Sequence, residues 1–357
     1  MEFKTDWLQA KKRFEALWER EITDRCCISV KGWKNKKLYI EPNKPKDLNI
    51  QWLDGEYILK TELHKMEYTF YGGESFPLIF LNLGPCSHAA SFKGVKHVFR
   101  KESVWFDPLP EEEGLNIEDD PNSFIEKKTY ELAEYYVTNS KGRYFVSMPD
   151  NCGNLDALAH IRRSDQLLLD MLLDPDEVNA ALKKVNIAWE RITRKSFDII
   201  KLNNEGGGCN GWLDVWAPGL LAEMQADISV MISEEMYSQF AVPELIIQSD
   251  VLQYPLYHLD GQEQAKFIDQ ICSVKKLRMI QWTNVDGQPS PVEFIPEMKR
   301  IQQHGKCVLA KVRTVKEAET ILKELSSKGL YVLIDSMLDS EQEVKDVVKM
   351  AGKYTHE

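Results

Sequence analysis

The sequence predicts a single α/β domain in which eight parallel strands and their helices form a (β/α)₈ TIM barrel. Along the carboxyl-terminal half, short apolar segments alternate with amphipathic segments of helical length. This alternation is typical of parallel strands joined by right-handed crossovers. Eight strand candidates lie near residues 26, 78, 144, 226, 255, 279, 307 and 331, which is the number a TIM barrel requires. A doubly wound sheet is the alternative, but the chain has no GxGxxG turn.

The amino-terminal part of the chain supplies a helix, three strands and an insertion. Residues 1–25 begin with MEFKTDWLQAKKRFEALWER, a charged amphipathic pattern that predicts a helix outside the barrel and not a signal peptide. The first three strand candidates are DRCCISV, PLIFLNLG and RYFVSMPD. Residues 32–76 break the alternation, and we expect them to form an insertion between the first two strands. Because no clean linker interrupts the chain, we predict one domain over residues 1–357.

The carboxyl-terminal part supplies the other five strands, each followed by a helix. The strand candidates are AEMQADISVMI, which ends near Ile232, then YPLYHLDG, LRMIQWTN, KCVLAKV and GLYVLIDS. Helices are predicted after them at SEEMYSQFAVPELIIQSDVL, EQAKFIDQICSVKK, PVEFIPEMKRIQQHG, TVKEAETILKELSSKG and SEQEVKDVVKMAGKY. In a barrel of this kind, catalytic groups project from the carboxyl ends of the strands.

Composition argues against several classes of protein. The formal net charge of −11 disfavours a general nucleic-acid binder, because contacts to phosphates need clustered Lys and Arg. No apolar run approaches the length of about 18 residues that indicates a membrane span. The seven cysteines have no CxxC spacing, which disfavours a disulfide framework or a structural zinc module. We therefore expect a cytoplasmic protein with a small-molecule substrate and without a nucleic-acid or membrane partner.

Polar residues stand at the predicted carboxyl ends of the second to eighth strands. They are Asn82, Asp150, Asn151, Gln225, Asp227, His258, Asp260, Gln281, Asn284, Lys311 and Asp335. Because these ends meet at one face of a barrel, we predict that Asn82, Asn151, Gln281 and Asp335 bind substrate in a shared pocket. The alternative is that the set consists of caps and turn residues, which Asp and Asn favour in any case.

Three of these residues are predicted to be catalytic. His258 and Asp260 are two residues apart and therefore point to the same side of an extended strand. They could share a proton, a metal ion or one polar group of the substrate. Asp227 lies in the apolar run MQADISVMI, where a carboxylate is costly unless it is paired or used.

A loop rich in Gly and Trp precedes the fourth strand. Residues 203–219 read NNEGGGCNGWLDVWAPG. One interpretation is a lid in which Trp212 and Trp216 close over a flat or apolar substrate. The other is a packed surface loop. A phosphate cradle is disfavoured because the GxxxxGK[ST] frame is absent.

Four segments together resemble the uroporphyrinogen decarboxylase superfamily. They are LNLGPCSHAASFKG (81–94), GNLDALAHIRRSDQLLLDMLLDPDEV (153–178), DISVMISEEMYSQFAVPEL (227–245) and YHLDG (257–261). The superfamily includes cobalamin-dependent methyltransferases that move methyl groups from corrinoid proteins to thiols. The resemblance extends from about residue 80 to 345 and implies a TIM barrel whose site lies at the carboxyl ends of the strands.

The departures from that superfamily bear on function. Uroporphyrinogen decarboxylases have an RQAGRY-like motif near the amino terminus, and this chain has none. The thiol-methylating relatives bind zinc through His-x-Cys and a later Cys. Here the first pair reads His258-Leu259-Asp260, and the later position falls near Asp335. The resemblance thus implies that His258, Asp260 and Asp335 hold zinc or another divalent metal, with oxygen ligands in place of thiolates.

The favoured function is a methyltransferase that works with a corrinoid partner protein. A corrinoid module would show Asp-x-His-x-x-Gly, but Leu256 occupies the Asp position here, so the corrinoid would arrive on a separate protein. A decarboxylase or other lyase of a small polycarboxylate or porphyrin-like substrate is an alternative, with Asp227 stabilising a protonated intermediate. A barrel that binds a small molecule without turnover is another. In each case we expect Cys272 and Cys307 to be packed away from the site.

Overall fold

The computed structural model describes residues 1–151, 153–283, 285 and 287–357, which form a mixed α/β fold around a seven-stranded sheet. The strands are β1 Cys27–Trp33, β2 Thr69–Gly73, β3 Leu78–Ile79, β4 Lys96–Phe99, β5 Val104–Asp107, β6 Phe145–Val146, β7 Gly208–Cys209, β8 Trp216–Ala217, β9 Leu221–Met224, β10 Tyr254–Leu259, β11 Met279–Trp282, β12 Cys307–Val312 and β13 Leu330–Leu338. The helices are α1 Trp7–Trp18, α2 Leu48–Leu53, α3 Gly55–Tyr68, α4 Phe124–Ser140, α5 Asn154–Arg162, α6 Ser164–Leu173, α7 Pro175–Ile200, α8 Glu234–Met236, α9 Val242–Val251, α10 Ile268–Ser273, α11 Ile295–Gln303, α12 Val315–Glu324 and α13 Glu341–Lys353.

The central sheet has the strand order β2-β1-β13-β12-β11-β10-β9. Neighbouring strands from β1 through β9 in this order are parallel, and β2 runs antiparallel to β1. The helices α9 to α12 occur between consecutive parallel strands of this sheet. This is the alternation that the carboxyl-terminal half of the sequence predicts.

The sheet differs from the predicted set of eight parallel strands. Six of the predicted strands are present in it as β1 and β9 to β13, while the seventh member, β2, belongs to the 32–76 segment. The other two predicted strands are β3 and β6, which pair only with each other as a parallel two-stranded sheet. They are short because the Leu81 N–H, just beyond β3, donates to the Ser147 hydroxyl (2.9 Å) and not to a strand backbone.

The predicted fourth strand also ends earlier than expected. It was expected to continue to Ile232, but β9 ends at Met224 and a 3₁₀ helix, Asp227–Met231, follows. The backbone N–H groups of Asp227 and Ile228 donate to the carboxylate of Asp156, each at 2.9 Å. This capping contact withdraws the segment from the sheet.

The amino-terminal helix is shorter than predicted, and the 32–76 segment contains regular elements of its own. The 32–76 segment contains α2, α3 and β2, and α1 spans only Trp7–Trp18 of the predicted 1–25. The apolar side of α1 buries Trp7, Phe14 and Trp18, and the Trp18 indole N–H donates to the Trp216 carbonyl (2.9 Å). Burial of each large side chain stabilises this contact by roughly 1.5–3 kcal/mol.

The two faces of the central sheet pack into two hydrophobic clusters. On β13, Tyr331 and Leu333 belong to the smaller cluster, which includes the apolar side of α1, while Val332 and Ile334 belong to the larger one. This strict alternation follows from the two-residue period of a strand. None of the helices within the described residues is long and apolar enough to cross a membrane.

Candidate functional site

His258 and Gln281 lie on the same face of the central sheet as the smaller hydrophobic cluster, closer to the carboxyl ends of the strands. On β10, His258 lies two residues after Leu256, and on β11, Gln281 lies two residues after Met279; Leu256 and Met279 both pack in that cluster. Because side chains alternate along a strand, His258 and Gln281 point to the same face one step closer to the carboxyl ends. The register pairs them directly.

The structure brings Asp227, His258 and Asp260 together. One ligand atom of each lies within 4.8 Å of the others, and His258 Nε2 is 3.7 Å from Asp260 Oδ1. Gln225 and Gln264 donate amide N–H groups to the two oxygens of Asp227, at 3.0 and 3.3 Å. We refer to Asp227, His258 and Asp260 as the Asp-His-Asp group.

Hydrogen bonding sets the orientation of the imidazole. The Nδ1 of His258 is bonded to the amide oxygen of Gln281. Because an amide oxygen only accepts, Nδ1 carries the proton and Nε2 presents its lone pair towards Asp260. A neutral imidazole of this kind is the form that binds metals.

Burial sets the protonation of the group. It lowers the pKa of His258, which favours the neutral ring. Burial, together with the negative charges of Asp156 and Asp260, raises the pKa of Asp227 well above its usual range. A neutral imidazole and two carboxyl groups therefore face one another, and a proton held by Asp227, or a bound cation, relieves the repulsion between the two carboxylates.

Asp156 is a positioning residue that the sequence analysis missed. It lies on α5, and its two carboxylate oxygens accept the N–H groups that begin the 3₁₀ helix after Asp227. Gly153 allows this approach, because a Cβ there would lie 2.4 Å from Asp156 Oδ2 and 2.5 Å from the Gln225 carbonyl. A contact across 71 residues leaves no local pattern in the sequence.

Glu223 is a second missed residue. It lies on β9, is buried, and accepts a hydrogen bond from the Asn210 amide (2.6 Å). Burial and the charge of Asp150 raise its pKa well above the usual range. The sequence did contain a signal for it, because Glu223 is an acidic residue in the apolar stretch LLAEM. The same kind of signal singled out Asp227.

The donor set of the Asp-His-Asp group suits a divalent metal. One imidazole and two carboxylates match zinc or a harder ion, and the second-nitrogen contact to Gln281 is the outer-shell support that metal-bound histidines show. Asp335, which was predicted to be a ligand, is not part of the group. Its carboxylate forms an ion pair with Lys311 Nζ (2.8 Å) and is half exposed.

The cysteines lie where the sequence analysis expected them. Cys307 is the first residue of β12, and its thiol contacts the Leu17 carbonyl (3.2 Å) beneath α1. Cys272 is buried on α10 within the larger cluster. Among the described residues, no cysteine is part of the Asp-His-Asp group.

A cavity of about 690 Å³ lies beside the group. Asn82, Trp212, Lys311 and Asp335 are among the residues that line it. The Trp212 ring meets the His258 ring edge-on at 5.1 Å, and Lys311 Nζ lies 5.0 Å from the centre of the same indole. Trp212 thus lines the cavity and also contacts the Asp-His-Asp group, and Lys311 lies beside it.

Two residues predicted to bind substrate lie elsewhere. Trp216 is fully buried in the smaller cluster, 5.7 Å from the Trp7 ring, where it packs beneath α1 and does not act as a lid. Asn151 is buried and uses its side-chain oxygen to accept hydrogen bonds from Ser87 and His88, so it fixes a turn. Asn284, another predicted strand-end residue, lies outside the described residues.

Comparison with known proteins identifies a solved structure that shares this fold. No family model and no curated protein sequence matches the chain. A solved structure matches along nearly the full length of both chains, covering 97% of this chain and 98% of the other, with a TM-score of 0.60 and 10% sequence identity. That structure is a methyltransferase from Methanosarcina mazei. At this identity the match shows a shared fold.

Proposed function

We propose that this protein is a metal-dependent methyltransferase whose Asp-His-Asp group binds a divalent metal, zinc in the first instance. The observation that supports this most directly is the position of the group. It lies at the carboxyl ends of parallel strands, on a fold shared end to end with a methyltransferase. Sites at such strand ends are the general rule for α/β sheets.

The chain's own residues would divide the work as follows. His258 Nε2 and the carboxylates of Asp227 and Asp260 would hold the metal, which when bound supplies a Lewis acid that polarises a coordinated substrate atom. Gln281 keeps the imidazole in the tautomer that exposes Nε2. Glu223, whose pKa burial raises, would hold a proton close to the group. Trp212 limits access of water from the cavity.

We also propose that the strands close into a barrel. Several backbone hydrogen bonds outside the central sheet support this. The Met148 N–H donates to the Cys209 carbonyl (2.8 Å), and the Gly208 N–H donates to the Gly219 carbonyl (2.9 Å). These bonds link β6, β7 and the segment before β9, and so extend the strand pairing beyond the β9 edge of the central sheet.

A corrinoid-binding protein is the proposed partner, and its docking surface would be a basic rim beside the cavity. Residues 31–46 contain six lysines and one glutamate, whereas the whole chain has a net charge of −11. Three of the six, Lys31, Lys36 and Lys44, pair with carboxylates, which leaves Lys34, Lys37 and Lys46 to give the rim its positive charge. Trp33 and Glu41 of the same segment line the cavity, and Leu38 and Ile40 are 62% and 78% exposed. Such a surface favours a partner with an acidic rim around an apolar patch.

The decarboxylase alternative has less support from the cavity. A polycarboxylate substrate needs cationic side chains that are free to bind its carboxylates. Two of the lysines that line the cavity already have counter-ions: Lys31 pairs with Asp214 (2.7 Å) and Lys311 with Asp335 (2.8 Å). The pairing leaves Lys65, which is exposed on α3, as the remaining lysine of the lining.

The proposal is tested by following methyl transfer to or from free cobalamin. Zinc-loaded protein is mixed with methylcobalamin and a thiol, or with reduced cobalamin and a methylated amine, and the cobalamin spectrum is recorded. We expect transfer by the wild-type protein and at least about a hundredfold slower transfer by His258→Ala. Equal rates for the two proteins would contradict the proposal, as would no transfer in either direction.

A further inference from the structure

One carboxylate in the cavity lacks a partner. Glu62 lies on α3 and lines the cavity, but its side chain forms no hydrogen bond or ion pair with any residue that the structure describes. The charges nearest to it are those of Lys65, Lys31 and Glu41, and burial raises its pKa. Lys31 is already bonded to Asp214 at 2.7 Å. Glu62 is half-buried, and a carboxylate withdrawn from water without a partner is costly unless a ligand supplies a positive charge or a donor.

Aromatic rings make up much of the cavity wall. They are those of Trp33, Trp52, Tyr71, Phe76, Phe80, Tyr136 and Trp212. Burial raises the pKa of Tyr71 and of Tyr136, and the negative charge of Glu62 adds to the rise at both rings. The faces of such rings attract cations, and indole and phenol rings do so most strongly. Aromatic walls beside a carboxylate without a partner match a cation whose charge is shielded by methyl groups.

We propose that the Glu62 side of the cavity binds a small molecule that bears a methylated ammonium group, with the charge against Glu62 and the methyl groups against the aromatic walls. An anion would meet Glu62 and Glu41. Lys31 and Lys311 are occupied by their own carboxylate partners, so only Lys65, which is exposed on α3, is left in the lining to receive it. A neutral molecule would leave Glu62 uncompensated. The role of this cation in methyl transfer rests on the proposed function, but its binding does not.

The test compares three probes of the same shape and different charge. Choline is the cation, 3,3-dimethyl-1-butanol is its neutral isostere, and 3,3-dimethylbutanoate is the anion. Binding to the full-length protein is measured by isothermal titration calorimetry. We expect choline to bind at least about tenfold more tightly than either of the others. Equal binding of choline and the alcohol, or tighter binding of the anion, would overturn the inference.

A pair of variants assigns the effect to Glu62. Glu62→Gln removes the charge and keeps the size, and we expect it to weaken choline binding about tenfold without changing binding of the alcohol. Glu67→Gln is the matched control, because Glu67 lies on the same helix and is exposed. Unchanged choline binding in Glu62→Gln would overturn the inference. Calorimetry needs no turnover, so choline binding without methyl transfer would contradict only the proposed function.

Discussion

At the scale of single residues, the pairing of His258 with Gln281 sets the orientation of the imidazole. The imidazole is buried, its Nδ1 is tied to an amide oxygen, and its Nε2 faces two carboxylates. Without that hydrogen bond the ring could rotate or change tautomer, and Nε2 would no longer be held towards the two carboxylates. Gln281 is therefore as important to the arrangement as the charged residues.

Replacement of Gln281 by Leu should weaken metal binding by about 10- to 100-fold, because the acceptor for Nδ1–H is removed. Zinc affinity is measured by competition with a chromogenic chelator. Gln303→Leu serves as a control, since Gln303 is exposed at the end of α11. Undiminished affinity in Gln281→Leu would show that the amide does not orient the ligand.

Sequence reasoning found part of the site for a physical reason. His258 and Asp260 are close in sequence, and the two-residue strand period places them on one side. Asp156 and Asn151 are different, because their roles depend on contacts 64 to 72 residues apart. The burial of Trp216 could not be predicted from the sequence either, because an aromatic residue in a Gly-rich loop is equally compatible with a lid and with a packed core position.

At the scale of elements, α1 covers the end of the sheet opposite to the site. Phe14→Ala should lower the free energy of unfolding by about 3–5 kcal/mol, since Phe14 is fully buried among aromatic rings. Leu8→Ala, on the exposed side of the helix at 69% exposure, should change it by less than about 0.5 kcal/mol. Urea denaturation measures both. Similar losses in the two variants would refute this packing.

A second element-scale feature is the carboxylate of Glu244, which joins three helices. It lies on α9 and accepts hydrogen bonds from Asn186 on α7 and from Asn154 on α5. Burial raises its pKa from 4.5 to about 7. The carboxyl group of Glu244 therefore holds its proton more tightly in the folded state than in the unfolded state. The stability that this protonated group contributes is fully present below pH 4.5 and is lost as the pH rises through about 7.

Glu244→Gln should remove that dependence, because Gln keeps the acceptor oxygen and cannot ionise. Between pH 5 and pH 8 the free energy of unfolding of the wild-type protein should fall by roughly 2–3 kcal/mol more than that of the variant. Urea denaturation at the two pH values provides the comparison, with Glu134→Gln on the exposed side of α4 as the control. A variant that retains the wild-type pH dependence would exclude Glu244 as its source.

At the scale of the whole molecule, the periodic elements were the predictable part. The alternation after residue 225 predicts β10 to β13 and their helices, because those strands are apolar on both sides and their helices are amphipathic. The irregular amino-terminal half was less predictable. There β2 joins the sheet from within the 32–76 segment, and β3 and β6 are too short to give a pattern of their own.

The proposed docking of a partner on the basic rim would make the reaction sensitive to salt. Transfer involving a corrinoid-binding protein should slow steeply as the salt concentration rises, whereas transfer involving free methylcobalamin should change little. Charge reversal at two exposed positions of residues 31–46, Lys37→Glu with Lys46→Glu, should reproduce the effect of salt on the first reaction only. Parallel salt dependence of both reactions would argue against this docking surface.

The most direct test of the central claim is metal content. Protein is loaded with zinc, freed of loosely bound ions by gel filtration, and analysed for metal per chain. We predict about one zinc in the wild-type protein and in Cys307→Ser, whose thiol lies beneath α1, and none in His258→Ala or Asp227→Asn. Zinc that is retained in His258→Ala, or lost in Cys307→Ser, would contradict a metal site formed by Asp227, His258 and Asp260.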